Sequence, residues 1–126
     1  MADYKVTIRE TSETALTARE RILLKDTTNA IKLDDIVSAD EHKTIKPVKY
    51  AVLDVETSKA EFGTYQQFLI IDADGTKYVT GSPSFWSAFC DIWNDMDGSG
   101  EEYEIDVYKL KSKNYAGKYF LTCSII

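Results

Sequence analysis

The chain has 126 residues, of which 44% are hydrophobic and 29% charged, and this length and composition fit one globular domain. Its formal net charge is −6. It contains no run long enough to cross a bilayer, and its first residues lack the basic-then-apolar order of a signal peptide, so we expect a cytoplasmic protein. The two cysteines, Cys90 and Cys123, lie in apolar segments, and His42 is the only histidine, so the sequence predicts no disulfide, no zinc site and no cofactor.

The N-terminal part of the chain begins with a strand and a helix. In DYKVTIRE, residues 3–10, apolar side chains alternate with polar ones, which predicts a strand with one buried face. Thr17 is followed three residues later by Glu20, which is the arrangement of a capping box and predicts a helix over residues 18–25. Of the stretches that follow, AIKLDDIV is predicted as a short extended piece and SADEHKTIKP as a polar loop.

From Lys46 onward the pattern predicts five short strands. The segments are, in order, PVKYAVLDVE, TYQQFLIID, KYVTG, EEYEIDVYKL and GKYFLTCSII. An Asp-Gly turn at residues 74–75 joins the second strand to the third. A helix separates the third strand from the fourth, since Ser82 supplies an N-cap, Pro83 takes the first position and Gly98 follows the end. The apolar side chains at helical spacing, which predict a broad buried face, are Phe85, Phe89, Ile92, Trp93 and Met96.

Five antiparallel strands with one helix between the third and the fourth are the layout of the OB-fold, a partly open Greek-key barrel. We therefore predict a mainly β protein with some α structure (α+β), in which residues 1–126 form a single OB-fold domain. Residues 46–126 are expected to form the five-stranded barrel, capped by the helix. Residues 1–45 are expected to form an N-terminal extension whose strand and short helix pack on the barrel. In this fold the second and third strands, with the loops joining strands 1–2 and 4–5, form a ligand face.

Charge is distributed unevenly along the chain. Residues 82–107 contain seven acidic residues and no basic one, whereas residues 108–126 contain four lysines and no acidic one. In the predicted fold this basic segment is the loop between strands 4 and 5 with its flanks, and tyrosines lie between its lysines. Such a concentration of cations can bind a polyanion. The alternative is a solvated surface hairpin that uses lysine for solubility.

Lysines and aromatic rings gather in segments that an OB-fold places around one groove. Single-stranded nucleic acid needs this mixture, because cations follow its phosphates and flat side chains stack on its unpaired bases. The candidate nucleic-acid-binding residues are Lys49, Lys59, Phe62, Tyr65, Gln67, Lys77, Tyr78, Lys111, Lys113, Tyr115, Lys118 and Tyr119. For Tyr65, Tyr78 and Tyr119 an inward, packed position remains open as the alternative.

Two runs of the sequence resemble a known family, and the N-terminal run LTARERILLKDTTNAIKLDD is in keeping with it. The segment DGTKYVTGSPSFWSAFCDIWNDMDG, followed by SKNYAGKYFLTCSI, is similar to small single-stranded DNA-binding proteins encoded by phages and prophages of Gram-positive bacteria. The resemblance implies an OB-fold protein that binds single strands with little sequence preference and serves phage DNA replication or recombination, often as a homo-oligomer. Many bacterial proteins of this class recruit replication or recombination partners through an acidic tail. This chain ends FLTCSII, so recruitment of that kind is not expected.

An enzyme is the first rival interpretation, and it is not expected here. His42 lies in a polar segment, no serine or cysteine has a base near it in the sequence, and no glycine-rich phosphate loop occurs. The acidic pairs at residues 34–35 and 72–74 could hold magnesium for nuclease chemistry, but the second pair is explained more simply by a hairpin turn. The second rival is an OB-fold protein-interaction module that binds a host or phage protein. RNA as the ligand also stays open.

Overall fold

A computed structural model describes residues 4–57, 64–112 and 118–126, and these form a mixed α+β structure with more strand than helix. The strands are β1 (Tyr4–Thr11), β2 (Ile31–Lys32), β3 (Lys43–Ile45), β4 (Pro47–Thr57), β5 (Thr64–Asp72), β6 (Lys77–Thr80), β7 (Ile105–Lys111) and β8 (Tyr119–Ile125). The helices are α1 (Ala18–Lys25), α2 (Leu33–Ile36) and α3 (Pro83–Met96). Within the described ranges, no helix combines the length and the apolar character needed to span a membrane.

The predicted helix boundaries are confirmed by their caps. At the start of α1, Glu20 N–H donates to Thr17 Oγ1 at 3.1 Å and Thr17 N–H donates to Glu20 Oε1 at 3.0 Å, which completes the capping box. At the start of α3, Phe85 N–H donates to Ser82 Oγ at 3.3 Å. Gly98 follows α3 with φ of +79°, a conformation that favours glycine over residues with a side chain.

The chain divides into two compact units, and the first comprises residues 1–31 and 48–81. Its strands belong to a five-stranded sheet with the order β1-β4-β5-β6-β2. The β5–β6 turn has Gly75 at φ +89°, as the Asp-Gly signal predicts. Leu24 of α1 packs on one side of the sheet, in a core cluster with Ala51, Leu53, Leu69 and Val79. Helix α1 thus packs against this sheet through Leu24.

The second unit comprises residues 32–47 and 82–126 and contains a three-stranded sheet with the order β3-β7-β8. Helix α3 packs against β8, where Ser84 Oγ donates to the carbonyl oxygen of Leu121 at 2.8 Å. The fully buried side chains of this unit are Leu33, Ile45, Phe85, Phe89, Ile105 and Val107. The prediction that the apolar stripe of the helix is core is therefore confirmed for its two phenylalanines.

The predicted five-stranded barrel is not observed as such among the described residues, whose strands form two separate sheets that do not close. Strand β4 has β1 on one edge and β5 on the other, so neither of its edges is open to β7. Instead β7 pairs with β3, a strand formed by residues 43–45, which the sequence predicted as loop. The fourth predicted strand is also shorter than expected, since residues 101–104 are not part of β7. The stretch predicted as a short extended piece is β2 followed by the single-turn helix α2.

Candidate nucleic-acid interface

The β7–β8 hairpin carries the basic segment of the chain. Its strands pair antiparallel from Ile105 opposite Ile125 to Lys111 opposite Tyr119. One further hydrogen bond extends the ladder, with Ser112 N–H donating to the carbonyl oxygen of Lys118 at 2.8 Å. Because side chains alternate along a strand, this register assigns each residue of the hairpin to one of two faces.

We call one of these the core face. Its side chains are Ile105, Val107, Lys109, Lys111, Tyr119, Leu121, Cys123 and Ile125. Most of the apolar side chains of this face are buried, but its far end reaches solvent at the Lys111–Tyr119 pair, where Tyr119 is 53% exposed. Lys109 lies between the two regions and donates to the carbonyl oxygen of Asp34 at 3.1 Å. A cation and an exposed ring are thus direct cross-strand neighbours.

The other side of the hairpin is called the outer face. Its side chains are Asp106, Tyr108, Leu110, Phe120, Thr122 and Ser124, and alternation also places Lys118 on this side. The ring of His42 stacks on that of Tyr108, with centroids 5.3 Å apart and planes inclined by 23°. His42 Nδ1 lies 3.0 Å from Asp106 Oδ2, and because a carboxylate only accepts, this nitrogen carries the hydrogen. The Tyr108 hydroxyl is bonded to Ser124 Oγ at 2.5 Å.

The apolar and aromatic side chains of the outer face are not among the candidates predicted from the sequence. Tyr108 and Leu110 alternate along β7, and Phe120 lies opposite Leu110 on β8, at positions where a strand facing solvent is ordinarily polar. That pattern could have identified them. His42 could not have been found in this way, because it lies 64 residues from Asp106 in the sequence and in a stretch that was predicted as loop.

Two predicted phosphate contacts, Lys49 and Lys77, lie on the five-stranded sheet and already have partners. Lys49 Nζ lies 3.6 Å from Glu13 Oε1. Lys77 Nζ donates to the carbonyl oxygen of Leu23 and, at 2.8 Å, to that of Asp26. Lys49 and Lys77 were expected to bind phosphate oxygens, but they contact carboxylate and carbonyl oxygens of the segment that contains α1.

The remaining candidates on this sheet differ in exposure. Tyr78 is only 3% exposed, because it lies opposite Ile70 in the packed part of the sheet, so its ring is not available to stack on a base and it is removed from the candidate set. Tyr65 is 45% exposed. Gln67 is half-buried, and its Oε1 is buried without a hydrogen-bond partner among the described residues.

Four candidates, namely Lys59, Phe62, Lys113 and Tyr115, lie outside the described residues. Of the others, the structure brings Lys111, Lys118 and Tyr119 together at the end of one hairpin. Among the described residues, neither lysine of this group forms an ion pair.

The described residues include side chains of the types that bind metal ions or act as nucleophiles. They contain no group of three or more His, Cys, Asp or Glu side chains placed to hold a metal ion. Burial raises the pKa of the Cys123 thiol to about 12, with a smaller contribution from Cys90, so this thiol stays protonated near neutral pH. A protonated, buried thiol is a poor nucleophile.

Comparison of the chain with protein-family models, with curated proteins and with solved structures found no match.

Proposed function

We propose that the protein binds single-stranded DNA with little sequence preference and acts in phage DNA replication or recombination. The observation that carries this proposal is the end of the β7–β8 hairpin, where Lys111 lies directly opposite the exposed ring of Tyr119 and Lys118 is adjacent. Cations that neutralise phosphates beside rings that stack on bases are the two components of sequence-tolerant single-strand binding.

The distribution of charge supports the same ligand. The four lysines of residues 108–126 are accompanied by no acidic residue. Six of the seven acids of residues 82–107 precede β7, and the seventh, Asp106, lies in β7 and is paired with His42. A local positive field attracts a polyanion even on a protein whose total charge is negative. The net charge of −6 therefore does not oppose the proposal.

We further propose that the chain has OB-fold topology, and the pairing of its strands supports this. Strands β4, β5 and β6 form a meander, α3 follows, and β7 and β8 form a hairpin. Within residues 43–57 only Lys46 lies outside a strand, and this stretch pairs with β7 through β3 and with β5 through β4. A strand that passes from one sheet to another is the device by which orthogonally packed barrels turn their corners.

The test is a titration of the full chain against fluorescein-labelled oligothymidine at two salt concentrations. We expect affinity to fall steeply with salt, and Lys111→Ala to flatten the log–log slope by roughly 0.7 if one phosphate contact is lost. The matched control is Lys5→Ala, which removes an exposed lysine of β1 and is expected to leave the slope unchanged. Absence of binding by the parent, or an affinity insensitive to salt, would contradict the proposal.

A protein-interaction module is the second candidate function, and one feature of α1 favours it. Ile22 and Leu23 are adjacent and 64% and 53% exposed, and Arg19 and Arg21 are exposed beside them. Exposed aliphatic side chains with a charged rim are typical of protein-binding surfaces. Ile22→Glu separates the two functions, because it should abolish binding of a protein partner and leave the affinity for oligothymidine unchanged.

A further inference from the structure

The outer face of the β7–β8 hairpin exposes apolar and aromatic side chains on the solvent side of a sheet. Leu110 and Phe120 are direct cross-strand neighbours and are 46% and 38% exposed. Tyr108 is two residues from Leu110 on the same strand, and His42 stacks on it. Contiguous apolar and aromatic side chains that remain open to water are a feature of binding surfaces.

We propose that this outer face, together with His42, is a second surface on which bases of a bound single strand stack, in addition to the ring of Tyr119. The inference rests on the proposed function and adds a base-stacking surface whose apolar and aromatic residues were not among the candidates predicted from the sequence. The occupant is the unpaired base of single-stranded DNA.

Two rings of this face, those of His42 and Tyr108, are held in place before any ligand arrives. The Asp106 carboxylate holds the His42 ring through Nδ1 at 3.0 Å, and the Tyr108 hydroxyl is fixed to Ser124 Oγ at 2.5 Å. A ring that is already oriented loses little conformational freedom when a base stacks on it, so more of the stacking free energy appears as affinity.

The spacing along the strand also suits an unstacked polymer. Side chains two residues apart, such as Tyr108 and Leu110, are separated by roughly 6.8 Å, twice the 3.4 Å that separates successive bases along a strand of duplex DNA. Two neighbouring bases can therefore each meet a different side chain only when they are unstacked from each other. This condition favours single strands over duplex DNA.

Charge distinguishes a nucleic-acid ligand from an apolar protein surface. Lys118 lies on this face next to Phe120, and the acid of the face, Asp106, is paired with His42. The Lys111–Tyr119 pair lies on the core face, so a strand that contacts both surfaces passes round the end of the hairpin that carries Ser112 and Lys118. Phosphates would then contact the lysines at that end, while bases stack on Tyr119 and on the outer face.

The first test measures the anisotropy of a fluorescein-labelled oligothymidine of about 15 nucleotides with the full chain. We expect Phe120→Ala to raise the Kd about 5- to 150-fold, the effect of losing one stacked base, without changing the salt slope. The control is Ile125→Ala, which truncates a similarly exposed apolar side chain of β8 on the core face and should leave the Kd unchanged.

A second variant keeps the test decisive even if Phe120→Ala lowers stability. Phe120→Trp retains a flat ring, so we expect the parent's affinity, and the fluorescence of the added indole should fall as oligothymidine is titrated. The change in tryptophan fluorescence of the parent protein, which has Trp86 and Trp93, during the same titration serves as the baseline. An added indole that does not respond to saturating oligothymidine overturns the proposal.

The outcomes separate this inference from the proposed function. If Lys111→Ala weakens binding and Phe120→Ala does not, the proposed function stands and the outer face does not take bases. If Phe120→Ala sediments as a smaller species than the parent, the face belongs to a second copy of the chain, and the inference is likewise wrong. If the parent binds no oligothymidine, the proposed function itself fails.

Discussion

The five-stranded and three-stranded sheets carry similar lysines and tyrosines but place them in different surroundings. On the first, Lys49 and Lys77 are met by carboxylate and carbonyl oxygens of the segment that contains α1. On the second, Lys111 and Lys118 form no ion pair among the described residues, and Tyr119 is exposed beside them. Lysines and rings in a strand therefore indicate a ligand site only where no other part of the chain has already neutralised the cations or buried the rings.

The burial patterns of two strands give the physical basis of this difference. In β5 the consecutive residues Phe68, Leu69 and Ile70 are all buried, so both sides of the strand are packed. In β7 the buried residues Ile105 and Val107 alternate with half-buried ones, so one side remains accessible. A strand packed on both sides has no face left for a ligand, whereas a strand packed on one side has.

The largest expected effect is the difference between replacing Tyr78 and replacing Tyr119, two tyrosines for which the same prediction was made from the sequence. Tyr78→Ala should lower the free energy of unfolding by about 3–5 kcal/mol, because it truncates a buried aromatic ring. Tyr119→Ala should change it by no more than about 0.5 kcal/mol and instead weaken oligothymidine binding by roughly 1–3 kcal/mol. Urea unfolding and anisotropy titration measure the two quantities. A stable Tyr78→Ala protein that has lost its affinity would reverse the assignment of sites.

Much of the local structure could be predicted from the sequence, because its signals lie within a few residues of one another. Strand β5 has the predicted bounds, Thr64–Asp72, since β-branched and aromatic residues run up to an Asp-Gly turn. Helix α1 begins after Thr17, where the capping box satisfies free backbone N–H groups. Such elements are defined by hydrogen bonds within the segment itself.

The features that sequence analysis missed depend on distant partners. Strand β3 has only three residues and exists as a strand because it pairs with β7, some sixty residues away. The strands separate into two sheets because β1 pairs with one edge of β4. No short sequence motif predicts that pairing. The position of His42 beside Tyr108 follows from β3, so this part of the candidate surface was unpredictable for the same reason.

A smaller effect is expected at Lys77, whose hydrogen bonds hold the last turn of α1. Lys77→Ala removes a cation from the carbonyl oxygens of Leu23 and Asp26, and we expect it to lower the free energy of unfolding by about 1 kcal/mol. Affinity for oligothymidine should not change, because the lysine is already occupied. Thermal unfolding followed by circular dichroism measures the first quantity. A variant of unchanged stability that binds more weakly would instead make Lys77 a ligand contact.

The smallest expected effect concerns the salt dependence of oligothymidine affinity when one lysine of each sheet is replaced. Lys118→Ala should flatten the log–log slope of oligothymidine affinity against salt by roughly 0.7, the value for one lost phosphate contact on a single strand.

Lys49→Ala should flatten that slope less, because Glu13 already partly neutralises Lys49 at 3.6 Å. That pair is exposed and therefore weak, so Glu13→Gln provides the decisive control. If Lys49 lies outside the ligand's path, removing the carboxylate leaves both affinity and slope unchanged. If instead Glu13→Gln tightens binding and steepens the slope, the segment before α1 masks a second phosphate site at Lys49. The two sheets would then differ because Glu13 already pairs with the lysine of the first sheet, and not because that lysine lies outside the ligand's path.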